Sequence, residues 1–371
     1  MSSAKEFVES LLEKADIKIG GTRPQDIVVH DERLYNRVVR YGSLGLGEAY
    51  MDGWWEANEL DVFFDAVLRA KLEKQVAINL ATVAVLAKAF FFNMQSRLGA
   101  QTVIREHYDL SNDLYMSFLD PYNQYTCGYF KDTNSLAVAQ EQKLDLICRK
   151  LQLKKGDRVL DIGCGWGGFA KFAAEKYGAL VTGVTLSKEQ LAYAKEFTNG
   201  FDVQLFLSDY RDLTGTYDKV LVCGMIEHVG YKNYKEIITV VNKLLVEDGL
   251  FLLHTIGQNK SGTSGDAWID EYIFPGGMLP SIKQIGVELE GLFVMEDWHN
   301  FGPYYDKTLL AWFKNFDTSW PKFKEQYGDR FYRMWKYYFL MCAGSFRSRK
   351  VQLWQIVLSK NGISGGYRSV R

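Results

Sequence analysis

The spacing of apolar positions changes character near residue 150. Before that point, residues 4–16 and 31–40 carry apolar side chains at intervals of three and four, which predicts two short amphipathic helices. Gly42, Gly45, Gly47 and Gly53 break up the following stretch, which also holds Tyr50, Trp54 and Trp55. Helical spacing resumes over residues 60–72. Residues 76–98, with Phe90, Phe91 and Phe92, read as a long apolar helix. No strand-like alternation precedes residue 150, so residues 1–95 are expected to form a small helical domain.

Beyond residue 155 short apolar runs alternate with helical segments. Strands are predicted at 158–162, 180–184, 203–207, 219–223 and 250–254, with helices at 167–176, 187–198 and 234–245 between them. Ser187 and Gln190 are spaced as a capping box. The rhythm stops after residue 256 and returns as a last strand at 352–358. This is the pattern of a doubly wound, Rossmann-like α/β sheet. The long interval before the last strand leaves room for helical insertions that build a substrate pocket. Residues 96–371 form the expected catalytic domain.

Bulk properties narrow the picture. A chain of 371 residues exceeds one compact core of usual size. The formal net charge of −1 argues against a general nucleic-acid binder, which needs a basic field. Aromatic residues reach 15%, which fits an apolar cavity, contact with lipid headgroups, or simply an aromatic core. Arg347, Arg349, Lys350, Lys360, Arg368 and Arg371 make the C-terminal end basic; they read as a solvated surface or as attraction to anionic lipid. The five cysteines are scattered without a CxxC pair, which points to a reducing compartment and to no metal site. Residues 76–92 are interrupted by Asn79, Thr82 and Lys88 and fall short of the roughly 20 residues a spanning helix needs, so membrane contact is expected to be peripheral.

The strongest local signal is VLDIGCGWGG at 159–168. A strand runs into a glycine-rich turn that opens a helix, and glycine lets a ligand approach the backbone closely. A dinucleotide site would hold pyrophosphate there. Asp161, just before the turn, would repel pyrophosphate and suits the ammonium of a methionine moiety. The spacing of Asp161, Gly163 and Gly165 therefore favours S-adenosylmethionine. Where a Rossmann fold often carries an acidic residue after the second strand, this chain has Thr185, Leu186 and Ser187; Gln190, one turn on, is the candidate contact. After the third strand, Tyr210 and Arg211 are expected to border the adenine.

These residues belong to a longer set. HYDLSNDLY (107–115), QYTCGYF (124–130), VLDIGCGWGG (159–168), GVTLSKEQ (183–190), DYRD (209–212), MIEHVG (225–230), LLHTIG (252–257), YIFPGG (272–277), EDWHNFG (296–302) and AGSFR (343–347) resemble the cyclopropane-fatty-acyl-phospholipid synthase family and the related mycolic acid cyclopropane synthases. GSLGLGEAYMDGWW (42–55) resembles the N-terminal domain of the bacterial phospholipid enzymes. The resemblance implies a class I methyltransferase sheet and a reaction that adds a methylene carbon across a double bond of a phospholipid acyl chain. It implies that Tyr125 and Thr126 close over the cofactor, where the family more often has Ser than Thr, that Cys164 lies in the cofactor loop, and that Ile226 flanks the adenine. It further implies a bound bicarbonate held by Cys127, Glu227, His254, Ile256 and Tyr305, with Cys342 as another cysteine near the pocket. A homodimer peripherally attached to the cytoplasmic face of a membrane completes the expectation; Trp54, Trp55 and Phe90 to Phe92 are the candidates to dock it or to position a neighbouring subunit, although the Phe cluster reads first as packed inside the protein.

The chemistry is consistent with these residue types. An isolated alkene is a weak nucleophile with no proton whose removal would activate it, so alignment and exclusion of water must do the work. Methyl transfer leaves a carbocation, and a weak base in the right place removes a proton from the transferred methyl. Bicarbonate suits that role: Glu227 can accept from it while His254 and Tyr305 donate to it. Aromatic rings offer the cation their π faces. Taken singly, His254 reads as a core histidine and Cys127 as a small buried hydrophobe. Two other readings stay open: methylation without ring closure, including methylation of an amine, and a lipid-binding protein that has lost catalysis.

Overall fold

The computed structural model describes residues 2–72 and 112–371. The long apolar helix expected at 76–98, the Phe90 to Phe92 cluster and the 95/96 domain boundary lie outside the described residues. The chain divides into two units. The first draws on Met1–Phe92, Thr263–Gly277 and Tyr305–Val351; the second draws on Asn93–Gly262, Met278–Tyr304 and Gln352–Arg371.

The first unit is mainly helical: Ser2–Lys14, Arg33–Met51 and Leu60–Arg69 follow the predicted periodicity, whereas Ala267–Tyr272, Pro303–Ser319 and Lys324–Arg347 lie in the interval where the sequence showed no rhythm. Two short strands escaped the sequence reading: β1 (Ile27–Val29) pairs antiparallel with β2 (Trp55–Ala57). Three-residue strands are too short to show alternation. Gly42 interrupts the helix as predicted (φ 57°), but Gly45 and Gly47 do not: a second helical segment runs through them to Met51. Gly47 is needed for packing instead, because a Cβ there would collide with the Trp268 indole. Gly344 does the same for Lys324–Arg347: a Cβ would lie 2.6 Å from the Asp61 carbonyl oxygen of helix Leu60–Arg69. Trp55 is fully buried and its indole N–H donates to the Leu46 carbonyl oxygen, so this ring does not face a membrane as expected. Trp54 lies under the Arg33 and Arg37 guanidiniums, at 4.5 and 4.6 Å.

The second unit is built on a seven-stranded sheet: β3 (Arg158–Ile162), β4 (Leu180–Thr185), β5 (Val203–Leu207), β6 (Tyr217–Cys223), β7 (Leu245–Gln258), β8 (Val294–Asn300) and β9 (Val351–Ser359), in the order β5-β4-β3-β6-β7-β9-β8. The pairs β3–β4, β3–β6, β4–β5 and β6–β7 are parallel, and β8 runs antiparallel to β9. All six predicted strands are present. β8 was missed because its sequence, VMEDWHN, is largely polar.

Alternation along the strands sorts side chains to two faces. Leu160, Ile162, Val220, Val222, Leu253 and Ile356 pack with Tyr234, Ile238 and Val241 of helix Tyr234–Leu244. Val159, Leu221, Leu252 and Val357 pack with Leu144 and Ile147 of helix Leu136–Lys150 and with Phe169 and Ala173 of helix Gly168–Tyr177. By the same alternation Asp161, Cys223, His254 and Gln355 belong to this second face, toward the carboxyl ends of the parallel strands. That is where ligands bind in open α/β sheets.

Candidate active site

The cofactor turn has the backbone its glycines predicted. Gly163, Gly165 and Gly167 adopt φ of 86°, 53° and 82°, a region where a side chain is strained. Gly167 caps helix Gly168–Tyr177, and a Cβ on Gly168 would collide with the Tyr122 carbonyl oxygen. Asp161 is buried before the turn. Burial pushes its carboxyl up to about 7, against the pull of the Lys143 ammonium. A cationic ligand group would favour its ionised form. Cys164 is buried against Ala194 and Leu205, and burial raises its thiol well above the usual range, so it fills space.

After β4, only half of the expected capping box forms. The Ser187 hydroxyl accepts from the Gln190 N–H at 3.2 Å. The other half is pre-empted: the Ser187 N–H goes to Thr185 Oγ1 at 3.2 Å, and the Thr185 hydroxyl donates to Gln190 Oε1 at 3.1 Å. The side-chain amide of Gln190 is thereby held beside Thr185 and Leu186 at the strand end. After β5, Asp209 caps the turn Tyr210–Asp212. Arg211 bonds Asp209 at 2.9 Å and Glu236 at 2.7 Å, and its guanidinium covers the buried Tyr210 ring at 4.6 Å. Ile226 is buried in the turn after β6.

The segment from Asp120 to Cys127 is held by buried polar groups. Asp120 accepts from the backbone N–H groups of Tyr122 and Gln124, both at 2.8 Å. Tyr125 meets the ring of Tyr115 edge-on at 5.4 Å. Thr126 is clamped by helix Leu136–Lys150: Lys143 Nζ donates to its hydroxyl at 2.8 Å, and Gln140 donates to its carbonyl oxygen at 2.8 Å. Lys143 also donates to Gln124 Oε1. Its side chain is fully buried, and burial lowers its pKa while Cys223, Asp120, Cys127 and Asp161 raise it. Cys127 is fully buried and its thiol donates to the Gly128 carbonyl oxygen at 3.3 Å.

A second polar group lies at the ends of β6 and β7. Cys223 and His254 are register partners, and the Gly224 N–H donates to the His254 carbonyl oxygen at 2.9 Å. Glu227, in the turn that follows β6, is buried. Its Oε1 accepts the Ile256 N–H at 2.7 Å, and its own carbonyl oxygen accepts from the Met278 N–H at 2.8 Å. Burial pushes the Glu227 carboxyl up to about 7, opposed by the Ile256 N–H. His254 is 1% exposed and burial keeps its imidazole well below its usual pKa, so it is neutral. Gln355 of β9 lies 3.2 Å from His254 Nδ1. Glu227 Oε2, His254 Nε2 and Gln355 Oε1 are buried with no hydrogen-bond partner. A buried polar atom left unpaired costs about 1–3 kcal/mol. Three of them lie where β7, β9 and the turn after β6 meet.

Of the residues expected around that ligand, Glu227, His254 and Ile256 come together. Ile256 contributes by orienting Glu227, since its N–H is committed there. Tyr305 and Cys342 belong to the first unit. Tyr305 is buried, stacked on Phe346 at 4.4 Å and edge-on to Trp312. Burial, with the Asp266 charge, pushes the Cys342 thiol up to about 12, so it holds no thiolate at neutral pH. Lys143, Gln140 and Gln355 were missed. Their only signal is a polar residue on an otherwise apolar helix face or strand. Among the described residues no group of His, Cys, Asp and Glu is arranged to hold a metal ion.

With this geometry in place, comparisons give it relatives. The sequence model of one protein family, mycolic acid cyclopropane synthetase, matches residues 95–356. The cyclopropane-fatty-acyl-phospholipid synthase of Escherichia coli (strain K12) is 51% identical over 365 residues, covering 98% of this chain and 95% of its own. A probable fatty acid methyltransferase of Pseudomonas putida is 38% identical, covering 92% of this chain and 88% of its own. Among solved structures, the mycolic acid cyclopropane synthase CmaA1 complexed with SAH and CTAB superposes with a TM-score of 0.65 at 31% identity, covering 70% of this chain and 98% of that one. The seven-stranded sheet is thus of the class I methyltransferase kind.

Proposed function

Since this chain belongs to the mycolic acid cyclopropane synthetase family, we propose that it converts the cis double bond of unsaturated phospholipid acyl chains into a cyclopropane, with S-adenosylmethionine as the methylene donor. The near-complete match to the Escherichia coli phospholipid enzyme supports the substrate class. The CTAB held by CmaA1 carries a long alkyl chain, as an acyl substrate does.

The cofactor's sulfonium supplies an electrophilic methyl group. Asp161 takes the ammonium of its methionine part, and the open turn at Gly163 and Gly165 lets it lie against the backbone. Thr126, fixed by Lys143, and Tyr125 border the same place. Transfer of the methyl to one alkene carbon leaves a cation on the other. The buried residues around the strand ends keep water from capturing it.

The observation that carries the proposal is the pair of open atoms on Glu227 and His254. Glu227 Oε2 is an acceptor, and His254 presents a second polar atom, both withdrawn from water. Bicarbonate has one O–H to give and oxygens that accept, so it fits this pair. When bound it supplies the base for a proton of the transferred methyl carbon. Glu227 receives the anion's O–H, and Ile256 keeps the carboxylate turned toward it. Cys127 and Tyr305 join the proposal on the family resemblance. Cys342, with its raised thiol, has a packing role. Attachment as a homodimer to the cytoplasmic face of a membrane is part of the same reading; no helix among the described residues is long and apolar enough to cross one.

Simple methylation is the second reading, favoured by the fatty acid methyltransferase relative. Mass spectrometry separates the two. Purified protein is incubated with unsaturated liposomes, bicarbonate and cofactor bearing a CD₃ group. A gain of one CD₂ per acyl chain with loss of the alkene is expected. Retention of CD₃ establishes methylation, and no mass change removes the acyl substrate.

A further inference from the structure

The anion site has a third participant that neither the sequence reading nor the family resemblance singled out. Gln355 is fully buried on β9, and its side-chain nitrogen lies 3.2 Å from His254 Nδ1. An amide N–H can only donate. With the amide in this orientation Nδ1 is the acceptor, which leaves the single proton of a neutral imidazole on Nε2. We propose that Gln355 is a positioning residue: it fixes His254 as the Nε2–H tautomer, so that the histidine offers a proton donor to the anion beside Glu227.

Three observations carry this. First, Nε2 is buried and has no partner in the protein, so its proton is available to a ligand. Second, Glu227 can only accept when ionised, and its Oε1 is already bonded by the Ile256 N–H. With the opposite tautomer, Glu227 Oε2 and a bare Nε2 would set two acceptors against an oxyanion, which no arrangement of bicarbonate satisfies. Third, Gln355 Oε1 is itself buried without a partner. His254 is also unable to escape the choice by taking a second proton, because burial keeps it neutral. The outer partner of a histidine generally decides which ring nitrogen carries the proton.

The second observation and the consequence for the anion rest on the bicarbonate reading above; the hydrogen bond to Nδ1 and the NMR readout of the tautomer do not. Nitrogen-15 NMR of protein labelled at histidine gives the tautomer directly. The chain has 5 histidines, and a His254→Ala spectrum identifies the signal. The wild-type protein is expected to show a protonated Nε2 and a bare Nδ1. A protonated Nδ1 overturns the inference without any variant. Gln355→Glu replaces the donor by an acceptor, so the signal should move to the Nδ1–H form, and the bicarbonate concentration for half-maximal activity should rise on the order of tenfold, the effect of losing one good hydrogen bond. An unchanged tautomer in that variant also overturns the inference. If the tautomer switches while wild-type activity ignores bicarbonate, the tautomer assignment stands and the bicarbonate reading fails.

Discussion

Two of the buried polar clusters in the second unit are finished differently. One surrounds Asp297 on β8. Lys150 lies 3.4 Å from its carboxylate, Arg371 and Ser369 bond it, and His299 Nδ1 is 3.1 Å from Lys150 Nζ. Burial opposes ionisation of Asp297, yet Arg371, Lys150 and Ser369 hold its carboxyl below the usual range. No atom of Asp297, Lys150 or His299 is left buried without a partner. The other cluster is Glu227, His254 and Gln355, where each member keeps an open atom. The first cluster closes on itself and ties the segment after β9 to the sheet. The second is the one we propose a ligand completes. Buried charge alone does not mark an active site; several open polar atoms converging at the carboxyl ends of parallel strands are the better guide.

Glu227→Gln is the sharpest way to break the contrast. The amide keeps the shape but cannot serve as the anionic acceptor, so the rate of ring formation should fall about a hundredfold or more, the usual scale for a proton-transfer group. Stability should move the other way. The folded carboxyl titrates near 7 and the unfolded one near 4.5. The wild-type protein therefore keeps its full stability below pH 4.5 and loses some as pH rises through 7, to an extent on the order of 3 kcal/mol. Thermal melts should show the variant more stable than wild type at pH 8 and level with it near pH 5. A variant less stable at pH 8 would mean that the carboxylate is satisfied within the fold.

Asp297→Asn tests the closed cluster. It removes the counter-charge of Lys150, whose pKa burial already lowers to about 7, and breaking such a pair costs up to about 3 kcal/mol, less where the lysine sheds its proton. Urea unfolding should register that loss. The bicarbonate concentration for half-maximal activity should change less than about twofold, because a closed cluster owes nothing to the ligand. Equal damage to both quantities would erase the distinction.

What could be read from the sequence follows the same divide. β3 and β5 were predicted at their very bounds, Arg158–Ile162 and Val203–Leu207, because both are short apolar runs between turn residues, β3 buried in the sheet and β5 largely exposed at its edge. The cofactor turn was legible because positive φ demands glycine. Helix Leu136–Lys150 was not, since Gln140, Lys143 and Lys150 sit on its buried face and blur the apolar period. Gly45 and Gly47 read as breakers and proved to be helical, because whether a glycine ends a helix or admits a neighbour such as Trp268 depends on contacts distant in sequence. Glu227 and His254 were found through the family resemblance; Gln355 needed the register of the sheet. Polar atoms reveal their missing partners only when the strands that carry them are side by side.

The most direct test of the central claim is the rate of cyclopropane formation in buffer stripped of carbon dioxide, followed by return of bicarbonate. The open Glu227–His254 pair predicts that activity falls on stripping and recovers with added bicarbonate in the wild-type protein, while Glu227→Gln shows no recovery. Full wild-type activity in stripped buffer would contradict it.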